Sequence, residues 1–159
     1  NYRRFKINPP ASLVRSNRAR VNNMDQKLKV YTDGGARGNP GPAAAGVVIM
    51  NESNEVIESF GQYLGETTNN QAEYQGLILG LKKVVEMKAT EVEVYMDSEL
   101  IIEQMKRNYK VKNAELASLF VKAWNLTHEF KKISFRHIRR NENKLADSEV
   151  NKALDQELS

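Results

Sequence analysis

Apolar and polar positions alternate along the first part of the chain and later recur at a helical period. "KLKVYTD" (27–33) alternates and reads as a strand. "AAGVVIM" (44–50) and "EVIESFGQYL" (55–64) read as two more, joined by the turn Asn51-Glu52-Ser53-Asn54. So short a connection makes them antiparallel neighbours. A long helix is predicted over 69–87, opened by the capping box Thr68-x-x-Gln71. "EVEVYMD" (91–97) is a β-branched strand that finishes on an aspartate. A short helix over 98–107, a loop over 108–113 and a second helix over 114–130 follow. The second helix repeats Leu116, Leu119/Phe120, Ala123/Trp124 and Thr127 at helical spacing. "KKISFRHI" (131–138) gives a fifth strand, and an amphipathic helix runs from about 143 to the end. The order βββ-α-β-α-α-β-α predicts an α/β domain with one mixed sheet and helices on its faces.

Residues 1–26 show no sustained period, and Asn8-Pro9-Pro10 reads as an extended stretch. The expected division is a basic arm over 1–26 and one domain over 27–159. Charge sharpens it. The first 24 residues hold six Lys/Arg and no acid, which leaves 18 cations against all 20 acids for the remainder. A basic arm on a near-neutral domain points to a polyanionic partner, although a solvated tail or an organelle-targeting leader has the same composition. There is no cysteine, which excludes disulfides and zinc–thiolate sites and fits a reducing, cytoplasmic setting. No apolar run approaches the roughly 18 residues of a membrane span.

Four acids are candidates for chemistry. Asp33 and Asp97 each finish a predicted strand, Glu73 lies in the first turns of the long helix, and Asp147 lies on the last one. Asp147 shares a polar stripe with Asn143 and Asn151, four residues to either side. Each acid has a plain structural alternative: a turn opener for Asp33, a dipole complement for Glu73, a helix N-cap for Asp97, a solvated face for Asp147. As a set they are more specific. In a mixed α/β sheet a site forms at the C-terminal ends of central strands, where Asp33 and Asp97 would meet. Clustered carboxylates repel unless cations neutralise them. Hard oxygen ligands without cysteine select Mg²⁺ or Mn²⁺, and a pair of such ions supports in-line phosphoryl displacement. The small residues of "GGARGNPGPAAAG" after Asp33 read as a loop kept low so that a nucleic-acid backbone can approach.

"TDGGARGNPGPAAAG", "TTNNQAEYQGL", "MDSELIIEQM" and "NENKLADSEVNKAL" together resemble type 1 ribonuclease H over about residues 29–154. The resemblance implies the ribonuclease H-like fold, with strand order 3-2-1-4-5 and the first three strands antiparallel. It implies cleavage of the RNA strand of RNA–DNA hybrids with two Mg²⁺ ions at Asp33, Glu73, Asp97 and Asp147, giving 3′-OH and 5′-phosphate ends. It places Asn39, Asn69, Asn70 and Gln71 against the hybrid's minor groove and counts Gly34 among the substrate-binding residues. Thr68 and Asn113 resemble the family's pocket for a DNA-strand phosphate. The expected partner is a hybrid duplex, the expected state a monomer, and the arm 1–24 is expected on phosphates.

Three departures qualify the resemblance. "KRNYKVKN" (106–113) is too short for the basic helical protrusion of some members. Glu66 stands where many members have a basic residue two before the pocket threonine. The stretch before Asp147 is shorter than the family's histidine-bearing loop, which leaves His137, and less so Glu142, as auxiliary candidates. Two other readings share the pattern: a ribonuclease H domain within a larger polypeptide such as a reverse transcriptase, and a non-catalytic hybrid- or double-stranded-RNA-binding module. Four retained acids argue against the second, since a pure binder gains nothing from clustered negative charge.

Overall fold

The computed structural model of the chain describes residues 26–159, so the expected basic arm, apart from Gln26, lies outside the described residues. Alternation builds the first three strands as a meander: β1 (Lys27–Ala36), β2 (Gly41–Met50) and β3 (Val56–Thr67). The 51–54 turn forms as expected, with the Asn54 N–H donating to the Asn51 carbonyl at 3.0 Å. The helix α1 (Asn69–Glu86), strand β4 (Glu91–Met96), helices α2 (Glu99–Met105) and α3 (Ala114–Thr127), strand β5 (Lys132–His137) and helix α4 (Lys144–Leu158) complete the domain. A short 3-10 turn, Arg140–Glu142, precedes α4. The sheet order is β3-β2-β1-β4-β5. β1 and β2, and β2 and β3, run antiparallel, whereas β4 runs parallel to β1 and to β5.

The two faces are covered unequally. Leu28, Val30, Val47, Ile49, Val92 and Val94 point to one side and bury against Leu77, Leu81 and Val84 of α1 and Ile101 and Ile102 of α2. Amphipathic α4 covers part of the other side, with Val150 and Leu154 packed on Ala44. Among the described residues no helix is long and apolar enough to cross a membrane.

Two expectations change. β1 does not stop at Asp33; it continues to Ala36, paired with β2 from Asp33↔Gly46 to Ala36↔Ala43. The expected long Gly/Pro loop is therefore mostly strand. Its small residues have a packing cause. A Cβ on Gly34 would lie 2.2 Å from the Ala72 carbonyl oxygen of α1, and one on Gly46 would lie 2.2 Å from the Ala146 carbonyl oxygen of α4. Backbone-to-helix contacts this close admit only glycine, and they let both helices press onto the sheet.

Candidate active site

The acids meet where β1 and β4 part. Pairing between those strands ends at Tyr31↔Tyr95, so Asp33 and Asp97 stand two residues beyond the last pair. Asp97 is not a helix cap, because Ser98 fills that position and accepts the Ile101 N–H. α1 brings Glu73 to the same point, held close by the Gly34–Ala72 contact. Asp33, Glu73 and Asp97 each offer a carboxylate oxygen within 4.8 Å of the others. Asp147, in the first turn of α4, is within hydrogen-bonding reach of Asp33 and lines the same cleft.

The electrostatics follow from this crowding. Burial, then the charges of Asp97 and Asp147, push the Asp33 pKa up to about 8. Burial, then the charges of Asp33 and Asp97, hold the Glu73 proton affinity well above the carboxylate range. The Gly34 N–H opposes both shifts. Glu73 Oε1 is buried and makes no hydrogen bond. A buried carboxylate oxygen without a partner is costly, and a divalent cation would satisfy it and offset the repulsion. The donor set of carboxylate oxygens fits Mg²⁺ or Mn²⁺.

A second cleft, sharing Asn69 with the first, gathers Asn39, Thr68, Asn69, Asn70, Gln71 and Asn113. Gly34 lines the acidic cleft instead. The amides are fixed from behind. Asn69 Oδ1 accepts the Ala36 N–H at 2.8 Å, and Asn39 Oδ1 accepts the Asn69 N–H at 3.0 Å. Thr68 Oγ1 accepts the Gln71 N–H at 3.2 Å while Gln71 Oε1 accepts the Thr68 N–H at 3.3 Å, the capping box expected at this helix start. Asn113 caps α3, its Oδ1 accepting the Leu116 N–H at 3.0 Å. With these oxygens engaged, the cleft presents NH₂ groups and a hydroxyl proton.

The auxiliary candidates lie elsewhere. His137 ends β5, exposed and in register with Met96, and does not line the acidic cleft. Glu142 accepts the Arg139 N–H at 2.9 Å and lines a separate small pocket with Tyr31 and Met50. Two residues outside the candidate set do reach the centre. Arg140 lines the cleft, and its charge lowers the Glu73 proton affinity. Asn143 donates to an Asp97 oxygen at 3.0 Å. A cation seven residues before Asp147, in a turn that feeds its helix, was the available signal for Arg140.

A mixed 3-2-1-4-5 sheet with a carboxylate cluster at the parting of its central strands defines the ribonuclease H-like class. A family profile described as "Reverse transcriptase-like" matches residues 31–153. The N-terminal RNase H domain of Rv2228c from Mycobacterium tuberculosis, solved as a maltose-binding-protein fusion, superposes with a TM-score of 0.81 at 41% identity, covering 85% of this chain and 100% of that one. LC11-RNase H1, solved in complex with an RNA/DNA hybrid, gives 0.80 at 46% identity, over 83% of this chain and 99% of that one. RNase H1 of Halobacterium salinarum gives 0.80 at 35% identity, over 82% and 98%. The chain belongs to the type 1 ribonuclease H family. The full-length bifunctional protein of M. tuberculosis is 43% identical over 130 residues, which are 81% of this chain but 36% of that protein.

Proposed function

We propose that this protein is an endonuclease that hydrolyses the RNA strand of RNA–DNA hybrids, giving 3′-OH and 5′-phosphate ends. The convergence of Asp33, Glu73 and Asp97 on one point, beside a cleft of fixed amide donors, is the observation that carries the reading. The three acids, joined by Asp147, would hold two divalent cations, Mg²⁺ or Mn²⁺. When bound, such ions supply a nucleophile at neutral pH and stabilise charge on the leaving oxygen. The residues themselves position the strand. NH₂ groups of Asn39, Asn69 and Gln71 would donate to 2′-hydroxyl oxygens, which distinguish RNA from DNA in the minor groove. Asn70, with no side-chain hydrogen bond described, can also accept. The Thr68 hydroxyl proton and the Asn113 NH₂ form a donor pair suited to a DNA-strand phosphate. Arg140 brings positive charge to the rim of the acidic cleft, where a scissile phosphate would pass.

A domain of a longer polypeptide would do the same chemistry. The match to little more than a third of the M. tuberculosis protein favours keeping that arrangement in view. The reading is tested by incubating labelled RNA–DNA, RNA–RNA and DNA–DNA duplexes with the protein in Mg²⁺ or EDTA. Cleavage is expected only for RNA within the hybrid and only with metal. RNA cutting that persists in EDTA would defeat it.

A further inference from the structure

We infer that Asn143 is the positioning residue of the acidic centre: its side-chain amide clamps one oxygen of Asp97 and ties the start of α4, and so Asp147, to β1. The inference rests on the metal-holding role proposed above for the acids. Asn143 is 2% exposed. Its Nδ2 donates to the Thr32 carbonyl at 2.9 Å and to Asp97 Oδ2 at 3.0 Å. Both partners are acceptors, so the nitrogen and not the oxygen must face them.

Asn143 is also the N-cap of α4, yet it makes no side-chain cap bond. An asparagine there ordinarily turns its oxygen onto a helix N–H. Here the amide turns inward, and its Oδ1 stays buried with no hydrogen-bond partner. Capping would satisfy that oxygen locally; the observed orientation leaves it unpaired and aims both amide protons at the site. Meanwhile the Asn143 main-chain carbonyl accepts the Asp147 N–H at 3.1 Å, the first bond of the helix. One residue thus touches the strand residue before Asp33, the carboxylate of Asp97 and the turn that carries Asp147. One Asp97 oxygen is thereby held by the amide, and the other has no side-chain hydrogen bond described.

The test compares the parent with Asn143→Ala and Asn143→Ser. Mn²⁺ affinity is measured by calorimetry, and kcat and KM for hybrid cleavage are measured across a Mn²⁺ titration. Loss of a group that orients a metal ligand typically weakens metal binding about 10–100-fold. Asn143→Ala is expected in that range, with kcat reduced at low Mn²⁺ and partly restored by more metal. KM for the hybrid should be unchanged, because Asn143 does not line the substrate cleft. Serine can donate to only one of the two acceptors and should fall between. A general loss of structure would not be rescued by metal. If Asn143→Ala fails to fold by near-ultraviolet circular dichroism, Asn143→Ser decides alone. Parent-like Mn²⁺ affinity in a folded variant, or a defect lying in KM, overturns the inference. A parent that binds Mn²⁺ but cuts no hybrid would defeat the proposed function, and the calorimetry would still decide the role of Asn143.

Discussion

Asp33 is caught between burial and the charge of its neighbours. Its folded pKa, near 8, exceeds the reference value of 3.8. The native state therefore binds the proton more tightly than the unfolded chain. The stability this contributes is complete below about pH 3.8 and is lost as the pH rises through 8. In EDTA, raising the pH from 5 to 8.5 should weaken the parent relative to Asp33→Asn by up to about a few kcal/mol. Mg²⁺, which binds the ionised form, should narrow that gap. Denaturant melts of both proteins at the two pH values, with and without metal, check the sign. Asp97→Asn removes one of the crowded charges. It should fold at least as stably as the parent without metal and lose activity by orders of magnitude. An amide could still accept from Asn143, so survival of activity would mean that charge at Asp97 is not needed. The asparagines separate by their anchoring. Asn69 is bonded to Ala36 and Asn39 through its side chain and backbone, so Asn69→Ala should lower both stability and catalytic efficiency. Asn70→Ala should spare stability and weaken hybrid cleavage by about 1–3 kcal/mol. Paired melting and kcat/KM measurements distinguish the two patterns.

At the scale of elements, alternation and helical spacing revealed every strand and every α-helix, because each buries one regular face. The edges were less legible. β1 runs three residues past Asp33 through Gly34, Gly35 and Ala36, which carry no apolar alternation; the pairing with β2 holds them extended. The small residues beside Asp33 were read as room for a substrate, and the structure gives them a packing role: helix backbones reach the sheet at Gly34 and Gly46. That contact is tertiary and leaves no periodic trace. Asn143 was visible as part of a polar stripe with Asp147, but its inward amide was not, since its partners Thr32 and Asp97 are distant in sequence. The four acids were legible because Asp33 and Asp97 end predicted strands and all four sit within motifs in a fixed order, and the capping box at Thr68 because its chemistry is local. Gly34→Ala tests the packing account. A methyl group there would lie 2.2 Å from the Ala72 carbonyl oxygen and 2.6 Å from the Glu73 backbone nitrogen of α1, so the helix itself must move. Destabilisation of about 1–3 kcal/mol is expected from such overpacking. Because Glu73 rides on the displaced turn, metal affinity should fall with it. Unchanged melting together with weaker hybrid binding would restore the substrate-approach reading.

For the whole molecule, the outstanding matter is how a nearly neutral domain attracts a dense polyanion. Beyond residue 24 the chain holds 18 cations against 20 acids, and the four proposed metal ligands concentrate negative charge where the substrate must come. Bound cations offset the centre but not the approach. The α2–α3 connection brings Lys106, Arg107, Lys110 and Lys112, and part of that charge is already committed: the Arg107 guanidinium lies 4.9 Å above the Phe120 ring. The six cations of residues 1–24 are the larger reserve. Affinity for a duplex falls with salt at a slope of about −0.9 per phosphate neutralised on B-DNA, and a hybrid should behave similarly. If half or more of the arm's cations meet phosphates, deleting residues 1–24 should flatten the slope of log K against log salt by about 3–5. Affinity at low salt should fall, while turnover at saturating hybrid should hold, because the acids and the amide cleft lie in the described domain. A leader or solvated tail predicts no change in either binding quantity. Titrations of both proteins at several salt concentrations decide between them, and equal slopes would remove the arm from the interface.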